Sequence, residues 1–255
     1  MNATRFAIAA ALAASLIPQT TFAEERDTLW VEPATVAKQN EVSLGFMFEL
    51  HTTAPLTALE AADEWLHFRP AVGLSDSLEL ITMFGARQRG PDSLRIDYSG
   101  AQLRYRIPAV TSFDLAVFGS YSFFFRDDHE SQLYQGVSAG NRIGPAFFAG
   151  ELSLGEGFGS DLGQRVEIKA SGAGGVRLLD GIVRPAFEAM FLAPLNGDRM
   201  TDPVFGDAGS MTSLYLGPTI SVHGERVWGT LSLVNGILSA AGKTTMVRLM
   251  MSVRL

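Results

Sequence analysis

Residues Glu41–His51 read Glu-Val-Ser-Leu-Gly-Phe-Met-Phe-Glu-Leu-His. Val42, Leu44, Phe46, Phe48 and Leu50 share one parity; Glu41, Ser43, Gly45, Met47, Glu49 and His51 share the other. A β-strand points successive side chains to opposite faces, so this stretch is a ribbon with one greasy and one polar side. The same period recurs. In Ser77–Arg89, Leu78, Leu80, Phe84 and Ala86 oppose Glu79, Arg87 and Arg89. In Phe113–Arg126, Phe113, Leu115, Val117, Tyr121, Phe123 and Phe125 oppose Asp114, Ser120, Ser122 and Arg126. In Arg165–Leu178, Val166, Ile168, Ala170, Val176 and Leu178 oppose Arg165, Glu167, Lys169, Ser171 and Arg177. The chain ends in the same way, with Val247, Leu249, Met251, Val253 and Leu255 against Arg248, Ser252 and Arg254.

A soluble sandwich also alternates, so alternation alone does not decide where the greasy face lies. Length does. These ribbons run to about ten residues or more, as a tilted membrane strand must, against about five or six in an ordinary sheet. Less regular segments of the same kind span Trp65–Leu74, Leu94–Ile107, Leu133–Arg142, Phe147–Phe158, Ile182–Ala193, Leu214–His223 and Arg226–Ile237. The reading is an all-β, antiparallel, up-and-down transmembrane β-barrel of about twelve strands, an even number as in bacterial barrels. Tight turns are expected at Ser75-Asp76, Ala109–Ser112, Ile143–Pro145, Asp180-Gly181 and Gly224-Glu225, and longer loops at Thr52–Glu64, Phe158–Gln164 and Pro194–Met211. Pro70, Pro185 and Pro218 fall inside strands, where they are expected to mark bulges whose carbonyls face lumen water. Ile96 and Tyr98 share one parity and Leu103, Tyr105 and Ile107 the other, which calls for a bulge at Ser99-Gly100.

The N-terminus carries one positive charge in Met1–Arg5, an Ala- and Leu-rich run over Phe6–Ile17, Pro18, and a small residue at Ala23. This is the pattern of a secretory signal peptide cleaved after Ala23. The expected organisation is a signal peptide over 1–23, a periplasmic lead-in over 24–40 and an outer-membrane barrel over 41–255. Loss of Arg5 would leave 19 basic and 27 acidic residues, a net −8. An acidic exported chain has no electrostatic footprint for nucleic acid. With no cysteine, disulfides, thiolate catalysis and Cys-ligated metals are excluded.

Few motifs carry chemistry. Gly242-Lys243-Thr244 lacks the glycine five residues ahead of Gly242 that a phosphate loop needs, since Ile237 stands there. Gly140–Gly144 is followed by no helical pattern. The histidines are His51, His67, His129 and His223, none in a Ser-containing motif of the kind a barrel lipid hydrolase would use. Asp127, Asp128, His129 and Glu130 cluster in an outer loop; they read as a solvated loop, with a rim protease site or a weak divalent-cation site for lipopolysaccharide as alternatives. The largest constellation is the inward face. It carries Glu49, Glu79, Asp114, Glu151, Glu167 and Glu188 with His67, Arg69, Arg104, Arg106, Arg165, Arg184 and Arg248. Charges in a lumen need water or partners, so these residues line either a narrow polar pore or a plug of structural ion pairs.

The stretch Arg69-Pro70-Ala71-Val72-Gly73-Leu74-Ser75-Asp76-Ser77-Leu78-Glu79-Leu80 resembles a hairpin of the outer-membrane channel family named for the phenol meta-cleavage pathway. There a strand ends in a Gly-Leu-Thr-Asp-like turn and restarts as apolar-Glu-apolar. Leu103–Ile107, reading Leu-Arg-Tyr-Arg-Ile, is similar to that family's next strand. The resemblance implies transport of hydrophobic or aromatic compounds and supplies no catalytic residues. The expected function is passive uptake of small solutes through a non-enzymatic, cofactor-free barrel in contact with outer-membrane lipids and lipopolysaccharide. The alternatives are a barrel enzyme acting on lipid or peptide at the outer leaflet, and a plugged structural or surface-binding barrel.

Overall fold

A computed structural model describes residues 34–52, 63–89, 94–108, 113–125, 131–159, 165–196, 212–238 and 245–255. They form twelve strands: β1 (Val42–Thr52), β2 (Asp63–Ser75), β3 (Leu78–Arg89), β4 (Arg95–Arg106), β5 (Asp114–Phe124), β6 (Ser131–Ile143), β7 (Ala146–Phe158), β8 (Arg165–Val176), β9 (Val183–Asn196), β10 (Ser213–His223), β11 (Val227–Leu238) and β12 (Thr245–Arg254). Each strand pairs antiparallel with its sequence neighbours, and β1 pairs with β12, so the sheet is a closed up-and-down barrel. Closure leaves no edge, which is what a bilayer demands of a spanning sheet.

The strands hold 10 to 14 residues each, and their two faces part as the alternation requires. Outward positions carry the exposed large apolar side chains, among them Phe46, Leu66, Phe84, Leu103, Val117, Tyr121, Leu152, Phe187 and Leu231. A continuous apolar surface of this kind marks contact with lipid rather than water. Phe46, Phe68 and Phe84 stand in one register row of β1, β2 and β3, with ring centroids 4.9 and 6.5 Å apart.

Both described chain ends lie at the end of the barrel that carries the short turns. Asp76-Ser77 joins β2 to β3, and Gly144-Pro145 joins β6 to β7. The β8–β9 junction is longer than a two-residue Asp180-Gly181 turn. It includes a 3-10 turn over Leu179–Gly181, with Leu179 and Asp180 at φ 50° and 57° and a bridge between Leu178 and Val183.

Three expectations are corrected. The parity flip in β4 is real, but the register shift lies opposite Gly85 and Ala86, where Gly85 pairs with Tyr98 and Ala86 with Ile96. The extra residue is therefore Asp97, not Ser99-Gly100. Tyr98 consequently points inward and is buried, while Ile96 stays outside. Gly85 makes this possible: a Cβ there would sit 2.0 Å from Tyr98 Cε1. The prolines are not bulges either. Register runs unshifted through Leu44↔Pro70, Ile220↔Pro185 and Pro218↔Phe187. A proline removes only the bond its own N–H would make, and the Pro70 carbonyl accepts from the Thr82 hydroxyl at 3.5 Å rather than facing lumen water. Finally, β12 stops at Arg254, although Leu255 still donates its N–H to the Val42 carbonyl at 3.0 Å across the closure.

The lead-in does not stand apart from the barrel where it is described. Ala34 and Ala37 are buried. Asn40 donates its N–H to the Gly73 carbonyl, and Gly73 donates back to Glu41, both at 2.9 Å. The segment thus lies across the inner side of β2 at the turn end. The expected signal peptide, residues 1–23, falls outside the described residues.

Candidate functional site: the lumen

Inward positions of β1 to β4 and β12 build a polar cluster around Glu49. Glu49 and Arg248 are register partners across the closure, and Arg248 Nε lies 2.5 Å from Glu49 Oε1. The second oxygen, Oε2, is 3.1 Å from His51 Nε2 and 3.8 Å from His67 Nε2. His67 Nδ1 is hydrogen-bonded to Tyr98 OH at 2.8 Å. Trp65 stacks on His67 with centroids 5.9 Å apart and planes 2° from parallel, and the Arg87 guanidinium lies 4.6 Å above the Trp65 ring. Strand parity explains the grouping: 49 and 51 share a face of β1, 65 and 67 share a face of β2, and closure brings 248 to the same level.

A second group lies nearer the turn end. Glu79 and Arg104, register partners on β3 and β4, form an ion pair in which both side chains are fully buried. Arg104 also donates to the Thr35 carbonyl at 3.2 Å, which ties the lead-in to the wall. Arg69 donates to Gln102 Oε1 at 3.3 Å. A third group lies on β7 and β8. Lys169 Nζ is 3.2 Å from Glu151 Oε1, and Ser153 donates its hydroxyl to the same oxygen at 3.1 Å. The Tyr134 hydroxyl donates to Glu167 at 3.4 Å. Glu188 and Arg184 are fully buried on β9, and Arg184 Nε donates to the Gly181 carbonyl at 2.8 Å.

Of the inward residues picked from sequence, the structure brings together Glu49, His67 and Arg248, and separately Glu79 and Arg104. Arg106 and Asp114 stand at the turn-end mouth, the first half-buried and the second exposed, and Arg165 is half-buried at the start of β8. Buried ion pairs of this kind are costly to desolvate and more costly to break, because the partner left behind keeps its charge in a low-dielectric setting.

Beside the Glu49 cluster, from β1 across the closure to β9, the inner wall is apolar. Met47, Met190, Leu192, Tyr215, Trp228, Val234, Met246 and Met250 form one buried cluster on β1 and β9 to β12. Sequence reading missed this wall, and it missed Trp65 and Tyr98. Trp65 shares the parity of His67 and was within reach of the pattern; Tyr98 was hidden by the bulge.

The three described histidines, His51, His67 and His223, all sit on inward positions, with hydrogen-bond or ring partners in Glu49, Tyr98 and Trp228. Among the described residues, therefore, no histidine faces lipid, as a hydrolase site there would require. Asp127–Glu130 and Gly242–Thr244 lie outside the described residues. Gly140–Gly144 forms the end of β6 and its turn into β7. Among the described residues, no group of three or more His, Asp or Glu is placed to hold a metal ion.

No protein-family model matches the sequence, and no curated protein matches it. Solved structures do match. An outer-membrane channel from Pseudomonas putida F1 superposes with a TM-score of 0.58 at 13% identity, over 88% of this chain and 100% of that one. The NanC porin gives 0.58 at 8% identity, over 83% and 100%. The KdgM porin, solved in complex with disordered oligogalacturonate, gives 0.54 at 10% identity, over 83% and 98%. Likeness at such identity is likeness of fold: the chain has the fold of an outer-membrane β-barrel. These neighbours do not single out the family that Arg69–Leu80 resembles.

Proposed function

We propose that this chain is an outer-membrane channel that passes small solutes through a narrow lumen. The observation that carries the reading is the ring of inward, ion-paired side chains, Glu49–Arg248, Glu79–Arg104 and Glu151–Lys169, spread around the barrel wall. Charges held in this way make the barrel interior polar, and a polar interior can orient a solute. The Met-rich wall that adjoins Glu49 supplies apolar contact, which supports solutes with a hydrophobic or aromatic body. Lipids and lipopolysaccharide would meet the outward Phe- and Leu-rich face. The chain acts in this reading by binding and passage, not by catalysis.

Full burial of Glu49, Glu79, Arg104, Arg184 and Glu188 favours a second reading, a barrel whose lumen is closed by its own side chains. Single-channel recording separates the two. Refolded chain in a planar bilayer should give discrete current steps that are reduced by permeant solutes. A bilayer in which the folded protein is present and no current flows would overturn the channel.

A further inference from the structure

The lipid-facing wall is indented between β5 and β8. Val117 on β5, Gln135 and Val137 on β6, Leu152 and Leu154 on β7 and Ile168 on β8 line a hollow of about 480 Å³. All stand on outward positions, in the register rows Val117↔Val137↔Leu152 and Gln135↔Leu154↔Ile168. Gly119, the register partner of Gln135 on β5, keeps the hollow open because it has no side chain. A Cβ at Gly119 would meet only the Tyr134 carbonyl, 3.9 Å away.

Gln135 is the polar member of this lining. It is exposed, and its neighbours around the hollow are hydrocarbon. Its carboxamide offers two N–H donors and a carbonyl acceptor. Water would satisfy such a group; a hydrocarbon chain does not, and an amide left unpaired in lipid is costly. The next outward row towards the loops, Tyr121↔Leu133↔Glu156, holds the nearest outward polar side chains. The Tyr121 hydroxyl is already committed to Ser131 Oγ at 2.9 Å. Gln135 lies on the loop side of Val137, the middle residue of β6 (Ser131–Ile143). It is about 10 Å below the loop end of β6, for a strand that rises about 3.4 Å per residue and tilts about 40°. The loops of a bacterial barrel face the cell exterior, so the hollow opens into the outer leaflet below its headgroups. The chains of that leaflet belong to lipid A. Unlike phospholipid chains they carry β-hydroxyl groups, beside the amide or ester that ties them to the sugar.

We infer that the hollow on β5–β8 is a docking site for one β-hydroxyacyl chain of lipid A, whose hydroxyl or neighbouring carbonyl hydrogen-bonds the Gln135 carboxamide. The site is continuous with the outward apolar face. It rests on the reading that this face meets outer-membrane lipid, and not on conductance. Native mass spectrometry of the folded full chain, released from detergent, tests it. The probes are lipid A and two phosphatidylethanolamines that differ only in a β-hydroxyl on their tetradecanoyl chains. At equal concentration the hydroxylated phospholipid should be retained about three- to tenfold better than the plain one, the range of a single hydrogen bond. Gln135→Leu should bring the two phospholipids level and leave the faster migration of the unboiled chain intact. Gly119→Leu should lower lipid A retention about fivefold, because it fills the space where the chain makes its contacts. Leu231→Ala, at an exposed outward position of β11, should leave retention of all three probes unchanged. Equal retention of the two phospholipids by the unaltered chain, or a preference that survives Gln135→Leu, overturns the site and leaves the chain in the membrane. A dimer that holds until Gln135 is replaced assigns the hollow to a second copy and overturns it too. A chain that retains no lipid and stays soluble without detergent loses both the site and the lipid-facing reading.

Discussion

Glu49 on β1 and Arg248 on β12 stand opposite each other in register and pair at 2.5 Å, although they lie near opposite ends of the chain. Only closure of the barrel brings them together. Glu49→Gln would leave the Arg248 guanidinium buried with its counter-charge gone, so the variant should lose about 3–5 kcal/mol of unfolding free energy. Urea titration in lipid vesicles reads the loss. Glu49→Met/Arg248→Met, which removes both charges, should recover much of it. If current flows, Glu49→Gln should also shift selectivity towards anions. A loss below about 1 kcal/mol, the range of an exposed pair, would show that the two charges are solvated.

The two faces of β5 invite a paired test. Val117 is outward and exposed to lipid, and Ser120 is inward. Arginine at 117 should cost about 2–4 kcal/mol if the site is near the bilayer midplane, and arginine at 120 much less. Vesicle-refolding titrations of both variants give the comparison. Equal costs would mean that the face assignment is wrong.

Gly85 and Tyr98 make a third. A methyl at 85 would meet the Tyr98 ring at 2.0 Å. The ring must then leave its place between His67 and Phe124, so Gly85→Ala should destabilise by about 1–3 kcal/mol, as overpacking does. Gly85→Ala/Tyr98→Ala should lose less than the sum of the two single changes. Additive losses would place Tyr98 away from Gly85.

These tests also mark where the sequence stops being legible. Twelve strands and their faces can be read because period-two alternation is a property of each strand by itself. The position of the β4 bulge cannot. The parity of Ile96, Tyr98 and Leu103 shows that a residue is inserted, but space on the neighbouring strand, at Gly85, decides which one. The prolines mislead for a similar reason. A missing donor is visible at Pro70, while the Thr82 hydroxyl that meets its carbonyl is supplied by another strand. Partners for Glu49 could be named because closure restricts them to β2 and β12. The partner of Arg184, the Gly181 carbonyl, could not, since it depends on the left-handed turn at Leu179 and Asp180.

A closed barrel with this hydrogen-bond pattern should resist detergent until heated. The folded chain should run ahead of its boiled form on a gel, and the expressed protein should sediment with outer membranes. Recovery in the soluble periplasm, with no shift on boiling, would refute a lipid-facing surface.

Closure itself has a direct chemical readout, because the chain contains no cysteine. Leu44 on β1 and Val253 on β12 are register partners. Directly opposed residues of an antiparallel pair have Cα atoms about 4.5–5.5 Å apart, inside the range of about 4.4–6.8 Å that a disulfide spans. Leu44→Cys/Val253→Cys should therefore form an intramolecular disulfide under mild oxidation, seen as a reducible mobility change on a denaturing gel. Leu44→Cys/Met251→Cys offsets the pair by two residues, a diagonal of about 7–8 Å, and should crosslink far more slowly. The comparison tests closure and register at once. An open sheet would crosslink neither pair. A barrel closed in a register slipped by two residues in that direction would favour the second, and Glu49 would then face Met246 instead of Arg248.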